Sequence, residues 1–374
     1  MVVLLAGAGL LLRSYVNVLS VQTGFSSSTV AVNVALSPQY NTPQKQQTFF
    51  GELLGKIKLI HGIQAAGLVN YLPLTGSESF RTLWVEGYPN EKNQLVEERS
   101  VTSDYLSAMQ TPLLQGQGFS DDAPGGPTVA IVNEAFAKKF LGGREAIGRH
   151  LRTDTDAPWT TVIGVAEDVR NESLETAAVP QIYVPFLEAR QVSADRSAYI
   201  AVRSSLSQDA VVSEIRAAVR SLDPDLAISD IHKMSDSVTA ATASRRFQTI
   251  LLMLFSGIAM FLAVVGVYGL LAYSVRQRTG EIGLRMALGS SKTGVIRLVL
   301  REGLGLLGMG LLVGLAAAFA FTRLLAGFLY DVPGLDPLTF ALVPVLLFVA
   351  TLAACLIPSW RAAAVDPMNA LRHE

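Results

Sequence analysis

Hydrophobic positions follow two different patterns along the chain. From residue 26 to residue 244, short apolar stretches either alternate with polar positions or recur at helical spacing. Beyond residue 245, three stretches contain no charged residue, and they are 29, 20 and 24 residues long: 247–275, 303–322 and 337–360. A helix needs about 20 apolar residues to cross the hydrocarbon core of a bilayer. The pattern therefore predicts three transmembrane helices, at about residues 250–273, 303–322 and 338–358.

The first part of the chain predicts a mixed α and β domain. A strand at 29–36, an amphipathic helix at 43–60 and a strand at 63–70 are followed much later by the same order at 199–203, 209–222 and 226–231. Two such βαβ-like halves can pack as one layered module. The turn-rich region between them, about 76–190, predicts an inserted, mostly-β subdomain with strands at 129–132 and 161–165 and one helix at 133–140.

The start of the chain is apolar from residue 2 to residue 12, and Arg13 follows at once. Eleven residues are too few to span a bilayer as a helix. A signal peptide would fit the length, yet no basic segment precedes the apolar run. We therefore expect a truncated first transmembrane helix and stalk at 1–25, an extracytoplasmic core domain at 26–244 and a membrane domain at 245–374.

Composition narrows the class of protein. Half of the 374 residues are apolar and only 16% are charged, against about 25% in soluble domains. This excludes a disordered chain and argues against a wholly soluble one. The net charge of −1 gives no argument for nucleic acid as a partner.

The distribution of charge predicts how the chain is threaded. The 26–244 segment carries 18 Lys and Arg against 25 Asp and Glu, whereas 245–374 carries 11 against 6. The connection 276–302 holds six basic and two acidic residues, and the connection 323–336 holds one basic and two acidic. Because basic loops stay in the cytoplasm, we expect 276–302 and the C-terminus inside, and the acidic domain outside.

Motifs for catalysis or cofactor binding are weak in this sequence. The single cysteine, Cys355, and four scattered histidines predict no metal site, and the chain is not expected to be an enzyme. Residues 303–308 match GxGxxG, but they lie inside an apolar run, where Gly303, Gly310 and Gly314 are more typical of close helix packing. Ser291 stands where a Walker motif needs glycine before Lys292, so no ATP or other cofactor is expected on this chain.

The basic connection carries apolar residues as well. Ile282, Leu284, Met286 and Leu288 fall within a helix-compatible stretch that ends at Gly289, a plausible helix-terminating glycine. Glu281 and Arg285 are spaced i, i+4. These side chains would be covered by a partner protein or by the membrane interface, or the stretch would be a solvated loop. The residues alone leave these alternatives open.

Four segments carry a resemblance to a known family. They are RQRTGEIGLRMALGSSKTGVIRLVLREG (276–303), IPSWRAAAVDPMNALRHE (357–374), AIVNEAFAKKFLGGREAIGRHL (130–151) and TVIGVAEDVR (161–170). The chain resembles FtsX-like, MacB-type ABC transporter permeases over essentially its whole length. It is most similar to one half of the duplicated orphan permeases of acidobacteria.

The resemblance implies a multi-pass protein of the bacterial inner membrane, with one span, a large periplasmic domain and three further spans. It implies a separate ABC ATPase subunit that binds ATP, a second permease module, and in some systems a periplasmic adaptor or outer-membrane channel. The segment contacting the ATPase would be Glu281, Ile282, Arg285, Met286 and Leu288. MacB-like efflux by mechanotransmission is the function implied, with lipoprotein release or FtsX-like signalling to a periplasmic enzyme as alternatives.

Overall fold

The computed structural model describes residues 1–77, 79–88, 94–120, 128–142, 145–154, 157–186, 196–288, 291–325 and 336–363. The chain forms two compact units. The α/β unit is Val21–Thr242, and the helical unit combines Met1–Ser20 with the chain from Ala243 onward. The predicted domain limits, 26–244 and 245–374, stay predictions that expression of separate fragments would test.

The α/β unit contains both strands and helices, and the other described elements are helices. The strands are β1 Val30–Ala35, β2 Ile63–Val69, β3 Phe80–Val85, β4 Gln94–Val101, β5 Leu113–Gly116, β6 Val129–Asn133, β7 His150–Arg152, β8 Thr160–Ala166, β9 Gln181–Pro185, β10 Ser197–Ser204 and β11 Ile228–Lys233. The helices are α1 Val2–Leu19, α2 Pro43–Lys58, α3 Tyr105–Met109, α4 Glu134–Leu141, α5 Gln208–Leu222, α6 Met234–Gln277, α7 Thr279–Ala287, α8 Lys292–Leu325 and α9 Pro337–Ala363. Each strand and helix predicted in the α/β unit is present, with ends that differ by a few residues. The prediction of a single helix within 76–190 is wrong, because the short helix α3 lies there as well as α4.

The two predicted βαβ halves interleave in one sheet. Its order begins β11-β1-β10-β2, and each neighbouring pair in this set is antiparallel. Helix α2 joins β1 to β2, and α5 joins β10 to β11, so each crossover passes over a strand of the other half. Neither half can form its sheet without the other.

Helices α2 and α5 pack on one face of these four strands. Pro43 opens α2, and the Thr42 side chain caps it by accepting a hydrogen bond from the Lys45 backbone N–H at 3.4 Å. Phe50 and Leu53 of α2 and Ile215 of α5 are fully buried in the core formed with the sheet. Apolar residues at helical spacing therefore place both helices on the same face of the sheet.

The strands between β2 and β10 continue the same sheet in the order β4-β3-β7-β8-β6-β9, with β5 on β8 and a parallel β4–β9 pairing. The link to the first four strands is the pair Val69–Val101. Asn133 caps α4 by accepting the Phe136 N–H at 3.0 Å. Since backbone pairing runs through from β2, the inserted subdomain limits of about 76–190 also stay a prediction.

Four helices are long and apolar enough to cross a membrane: α1, α6, α8 and α9. The three predicted spans lie within α6, α8 and α9, which extend them with charged turns. Helix α1 continues past Arg13 to Leu19 and has 18 residues, about 27 Å at 1.5 Å per residue. The apolar run that ends at Leu12 therefore understates the length of this helix.

Candidate functional site

Helix α7 is the short helix of the basic connection between α6 and α8. Its first turn is tied to the end of α6, because the Thr279 hydroxyl donates to the Val275 carbonyl oxygen at 3.0 Å and the Ile282 N–H donates to the Arg278 carbonyl oxygen at 2.9 Å. At 3.6 residues per turn, positions 281, 284, 285 and 288 share one face of such a helix, and positions 282 and 286 lie on another. The two faces have different surroundings.

The inner face of α7 is Ile282 and Met286. Ile282 is only 4% exposed and belongs to a core cluster drawn from three other helices, with Leu271, Val295, Val299 and Cys355 as the other buried members. Met286 is half-buried against the same cluster. The chain's own helices therefore cover Ile282 and part of Met286, and the expectation that these two side chains contact an ATPase stays a prediction.

The outer face of α7 is Glu281, Leu284, Arg285 and Leu288. Leu288 is 80% exposed and Leu284 is also exposed. The Arg285 Nη2 lies 2.7 Å from the Glu281 Oε1, on an exposed part of the helix. The sequence prediction missed Leu284, although its i, i+3 and i, i+4 relations to Glu281 and Leu288 could have found it. The predicted terminating residue, Gly289, lies outside the described residues.

Exposed leucines beside an ion pair are groups that could contribute to binding another surface. Burying a leucine side chain stabilises a contact by about 1.5–3 kcal/mol. An exposed ion pair contributes only about 0–1 kcal/mol, and so it would orient a contact more than strengthen it. Because Ile282 anchors the helix, the outer face is presented in a fixed orientation.

The three glycines predicted to pack in the membrane have different neighbours. A Cβ on Gly303 would lie 2.5 Å from Cys355 Sγ, and one on Gly314 would lie 2.5 Å from Val2 Cγ2. A Cβ on Gly310 would have no neighbour within 4 Å. Helix α8 therefore approaches α9 closely at Gly303 and α1 closely at Gly314, as small residues permit in membrane helices.

Polar contacts also join the membrane helices. Arg13 of α1 forms an ion pair with the buried Asp336, which begins α9 by accepting hydrogen bonds from the Thr339 N–H at 3.0 Å and the Thr339 hydroxyl at 2.6 Å. Burial alone would raise the pKa of Asp336, but the hydrogen bonds from Thr339 and Arg13 hold the pKa of this carboxyl below its ordinary value. The Ser256 hydroxyl of α6 donates to the Leu4 carbonyl oxygen at 2.9 Å.

Two family descriptions match the chain. The family described as MacB-like periplasmic core domain matches residues 10–218, more than half of the sequence. The chain belongs to this family. A second family, described as FtsX-like permease C-terminal, matches residues 253–367, which include α7 and most of α6, α8 and α9. With the four apolar helices, this identifies a membrane protein with a MacB-like core domain and an FtsX-like permease region.

Two curated relatives align with most of this chain over part of their own length. The macrolide export ATP-binding/permease protein MacB of Azoarcus sp. (strain BH72) is 27% identical over 283 residues, which cover 72% of this chain and 42% of that protein. The pyoverdine export ATP-binding/permease protein PvdT of Pseudomonas aeruginosa is 27% identical over 72% of this chain and 41% of that protein. This chain therefore spans about two fifths of the length of these relatives.

A solved structure of the periplasmic region of MacB from Actinobacillus actinomycetemcomitans is also similar to the chain. It is 14% identical, it covers 60% of this chain and 96% of that structure, and the TM-score is 0.39. The family assignment does not depend on it.

The MacB-like core domain contains a buried ionic network that the sequence analysis missed. Arg99 Nη2 lies 2.6 Å from Glu97 Oε1, both side chains are almost fully buried, and Asn171 Nδ2 donates to Glu97 Oε2 at 2.8 Å and to Gln181 Oε1 at 3.0 Å. Glu97 and Arg99 are two residues apart on β4 and so share a face of the sheet. The only sequence signal was two charged residues at the inward positions of a strand.

The same network contributes to the environment of two buried tyrosines. Burial raises the pKa of Tyr105 to about 12, while nearby Arg99 lowers it and Glu97 raises it. Burial also raises the pKa of Tyr183 far above its ordinary value. Both tyrosines are almost fully buried, and we assign them a role in stability.

Proposed function

We propose that the chain is the permease subunit of an ABC transporter, and that it transmits motion from cytoplasmic ATP hydrolysis to its periplasmic domain. The outer face of α7 carries this proposal. Leu284 and Leu288 are exposed beside an ion pair, on a helix that Ile282 fixes to the membrane bundle. An ABC ATPase subunit is the partner that this surface would bind, and ATP would be bound by that subunit.

Charge supports the orientation that this function requires. Six basic residues in 276–302 favour the cytoplasm for α7. The acidic α/β unit would then lie in the periplasm of a bacterial inner membrane, with a first span preceding it and three spans following. A second permease module would complete the membrane assembly, and a periplasmic adaptor or an outer-membrane channel would complete the export route.

The names of the relatives favour transport over the two alternatives. Both are called export ATP-binding/permease proteins, one for macrolides and the other for pyoverdine. Lipoprotein release and signalling to a periplasmic enzyme have no comparable support. We therefore propose export by MacB-like mechanotransmission and assign no substrate.

The test places a charge on the outer face of α7. Leu288→Asp should abolish copurification of the ATPase with the full-length protein, because a carboxylate buried without a partner costs several kcal/mol. Glu281→Lys should weaken copurification less, because it disturbs only an exposed pair. The matched control is Leu59→Asp, since Leu59 is 86% exposed but lies in the α/β unit.

Three measurements accompany these variants: the amount of each protein in the membrane, ATPase copurification and ATPase stimulation. We expect all variants at wild-type levels in the membrane, with copurification lost in Leu288→Asp and retained in Leu59→Asp. Retention of the ATPase by Leu288→Asp would contradict docking on this face. Equal loss in both variants would contradict it as well, because the effect would not be specific to α7.

A further inference from the structure

The α/β unit receives the chain at two places. The first connection follows α1 and enters the unit at Val21, and the second is the start of α6, whose first nine residues belong to the unit. Both connections are short. A displacement of α1 or α6 would therefore act first on the residues that bind these two connections to the α/β unit.

The first connection is fastened to the end of α3. The Ser26 N–H donates to the Met109 carbonyl oxygen at 2.7 Å, and the buried Thr29 hydroxyl donates to the Ala108 carbonyl oxygen at 2.9 Å. The buried Thr111 hydroxyl donates to the Gly24 carbonyl oxygen at 2.8 Å. The last carbonyl groups of a helix lack hydrogen-bond donors within the helix. Ser26 and Thr29 supply such donors to the carbonyl groups at the end of α3.

The same connection also satisfies the start of α6. The Met234 N–H donates to the Thr29 carbonyl oxygen at 3.0 Å, and the Ser235 N–H donates to the Ser27 carbonyl oxygen at 2.9 Å. The first N–H groups of a helix are likewise without partners inside it. One short segment, which contains a turn at residues 27–28, thus pairs with two helix ends at once.

Packing joins the same groups. Phe25 of the first connection and Met234 of the second are buried in one core cluster, together with Met109 and Val169. Gly24 has φ +76°, and a Cβ there would lie 2.1 Å from the Asp168 carbonyl oxygen, so only glycine allows this approach.

The start of α3 packs against the sheet. A Cβ on Gly67 of β2 would lie 2.4 Å from the Tyr105 Cα, so the first turn of α3 rests directly on the strand backbone. A displacement of the α3 end would therefore be passed to the middle of the sheet.

We propose that residues 23–29, 108–111, 168–170 and 234–235 form one clamp, through which α1 and α6 act together on the α/β unit. This inference rests on the proposed function, because a permease that transmits motion needs a place where its membrane helices act on the periplasmic domain. Local unfolding should then break the hydrogen bonds of both connections together and not separately. The clamp is therefore a cooperative unit of the kind that amide exchange detects.

The experiment measures amide hydrogen exchange of the full chain in lipid nanodiscs, without any ATPase. Thr111→Val removes the hydrogen bond to Gly24 and keeps the shape of the side chain. We expect about tenfold faster exchange at Ser26, and the same increase at Met234 and Ser235, which Thr111 does not contact; tenfold is the scale of one lost buried hydrogen bond. Thr82→Val, at a strand threonine outside the clamp, is the matched control and should leave these three amides unchanged.

Faster exchange confined to residues 23–29 would overturn the proposal, because the two connections would then open independently. A second variant, Thr29→Val, removes the bond to Ala108 and must produce the same joint increase. If Thr111→Val unfolds the unit, so that amides of β6 exchange equally fast, Thr29→Val decides by the same criterion. Since no ATPase is present, a negative result here concerns the clamp alone, whereas copurification with Leu288→Asp concerns the proposed function.

Discussion

Gly303 offers a direct test of how the membrane helices pack. Replacing it with alanine places a Cβ 2.5 Å from Cys355 Sγ and 3.3 Å from Leu271 Cδ1. The first distance is more than 1 Å shorter than an ordinary non-bonded contact of about 3.5–4.0 Å. Cys355 is fully buried, so either its side chain or the packing of α8 against α9 must shift to make room for the new Cβ.

The magnitude follows from two opposing effects. Overpacking a well-packed core typically costs about 1–3 kcal/mol. Alanine improves helix propensity over glycine by up to about 1 kcal/mol. The net expected loss for Gly303→Ala is therefore about 0–3 kcal/mol, while Gly310→Ala, with no neighbour within 4 Å of the new Cβ, should be neutral or stabilising.

The assay is the thermal midpoint of the purified full-length protein in one detergent, followed by loss of helical circular dichroism. A double variant isolates the contact, because Cys355→Ala removes the sulfur and leaves the Cys355 Cβ at 3.9 Å from the new Cβ on residue 303. Gly303→Ala should be less harmful in that background than in the wild type, by about 1–3 kcal/mol of coupling. Equal effects in both backgrounds, or equal effects of Gly303→Ala and Gly310→Ala, would refute the contact.

Three further predictions concern charge and the clamp. Asp336→Asn should lower the thermal midpoint at neutral pH, because the pKa of Asp336 is lowered in the folded state. The difference from wild type should be complete above the ordinary carboxyl pKa of about 4 and should vanish as the pH falls through the lowered pKa. Because burial raises the pKa of Tyr105 to about 12 in the folded state, this tyrosine should contribute up to about 1.4 kcal/mol per pH unit to a loss of stability of the α/β unit from about pH 10 upward, and Tyr105→Phe should remove that contribution in urea titrations. The fragment 21–242 should be folded and soluble by circular dichroism and gel filtration, and the fragment 30–242, which lacks the first connection, should melt at a lower temperature; equal melting would contradict the contribution of the clamp.

Local patterns in the sequence were sufficient to predict most elements of this fold. The charge-free runs predicted the membrane helices, because length and apolarity alone decide whether a helix can span a bilayer. The interleaved order β11-β1-β10-β2 could not be predicted, since strands far apart in sequence pair and each half alone is compatible with other arrangements. The length of α1 was understated because Arg13 interrupts the apolar run without interrupting the helix.

The sequence predicted a helix with apolar residues in the basic connection, but not which of those residues are exposed. Treating the apolar residues of α7 as one set ignored helical spacing, which separates Ile282 and Met286 from Leu284 and Leu288. Which face of α7 is buried depends on contacts with Cys355 and other residues from distant parts of the chain. No local sequence pattern reveals these contacts. The contacts of the first connection with α3 and α6 are mostly backbone hydrogen bonds, for which the side-chain sequence carries no signal.

The central claim is that the outer face of α7 lies in the cytoplasm against an ABC ATPase. A photo-reactive benzoylphenylalanine placed at Leu288 in the full-length protein, and activated in membranes of the host cell, tests this contact directly. We expect a crosslinked product that contains a protein with Walker nucleotide-binding motifs, and none with the same probe at Leu59. Crosslinks from position 288 only to periplasmic proteins or to this chain itself would contradict the account.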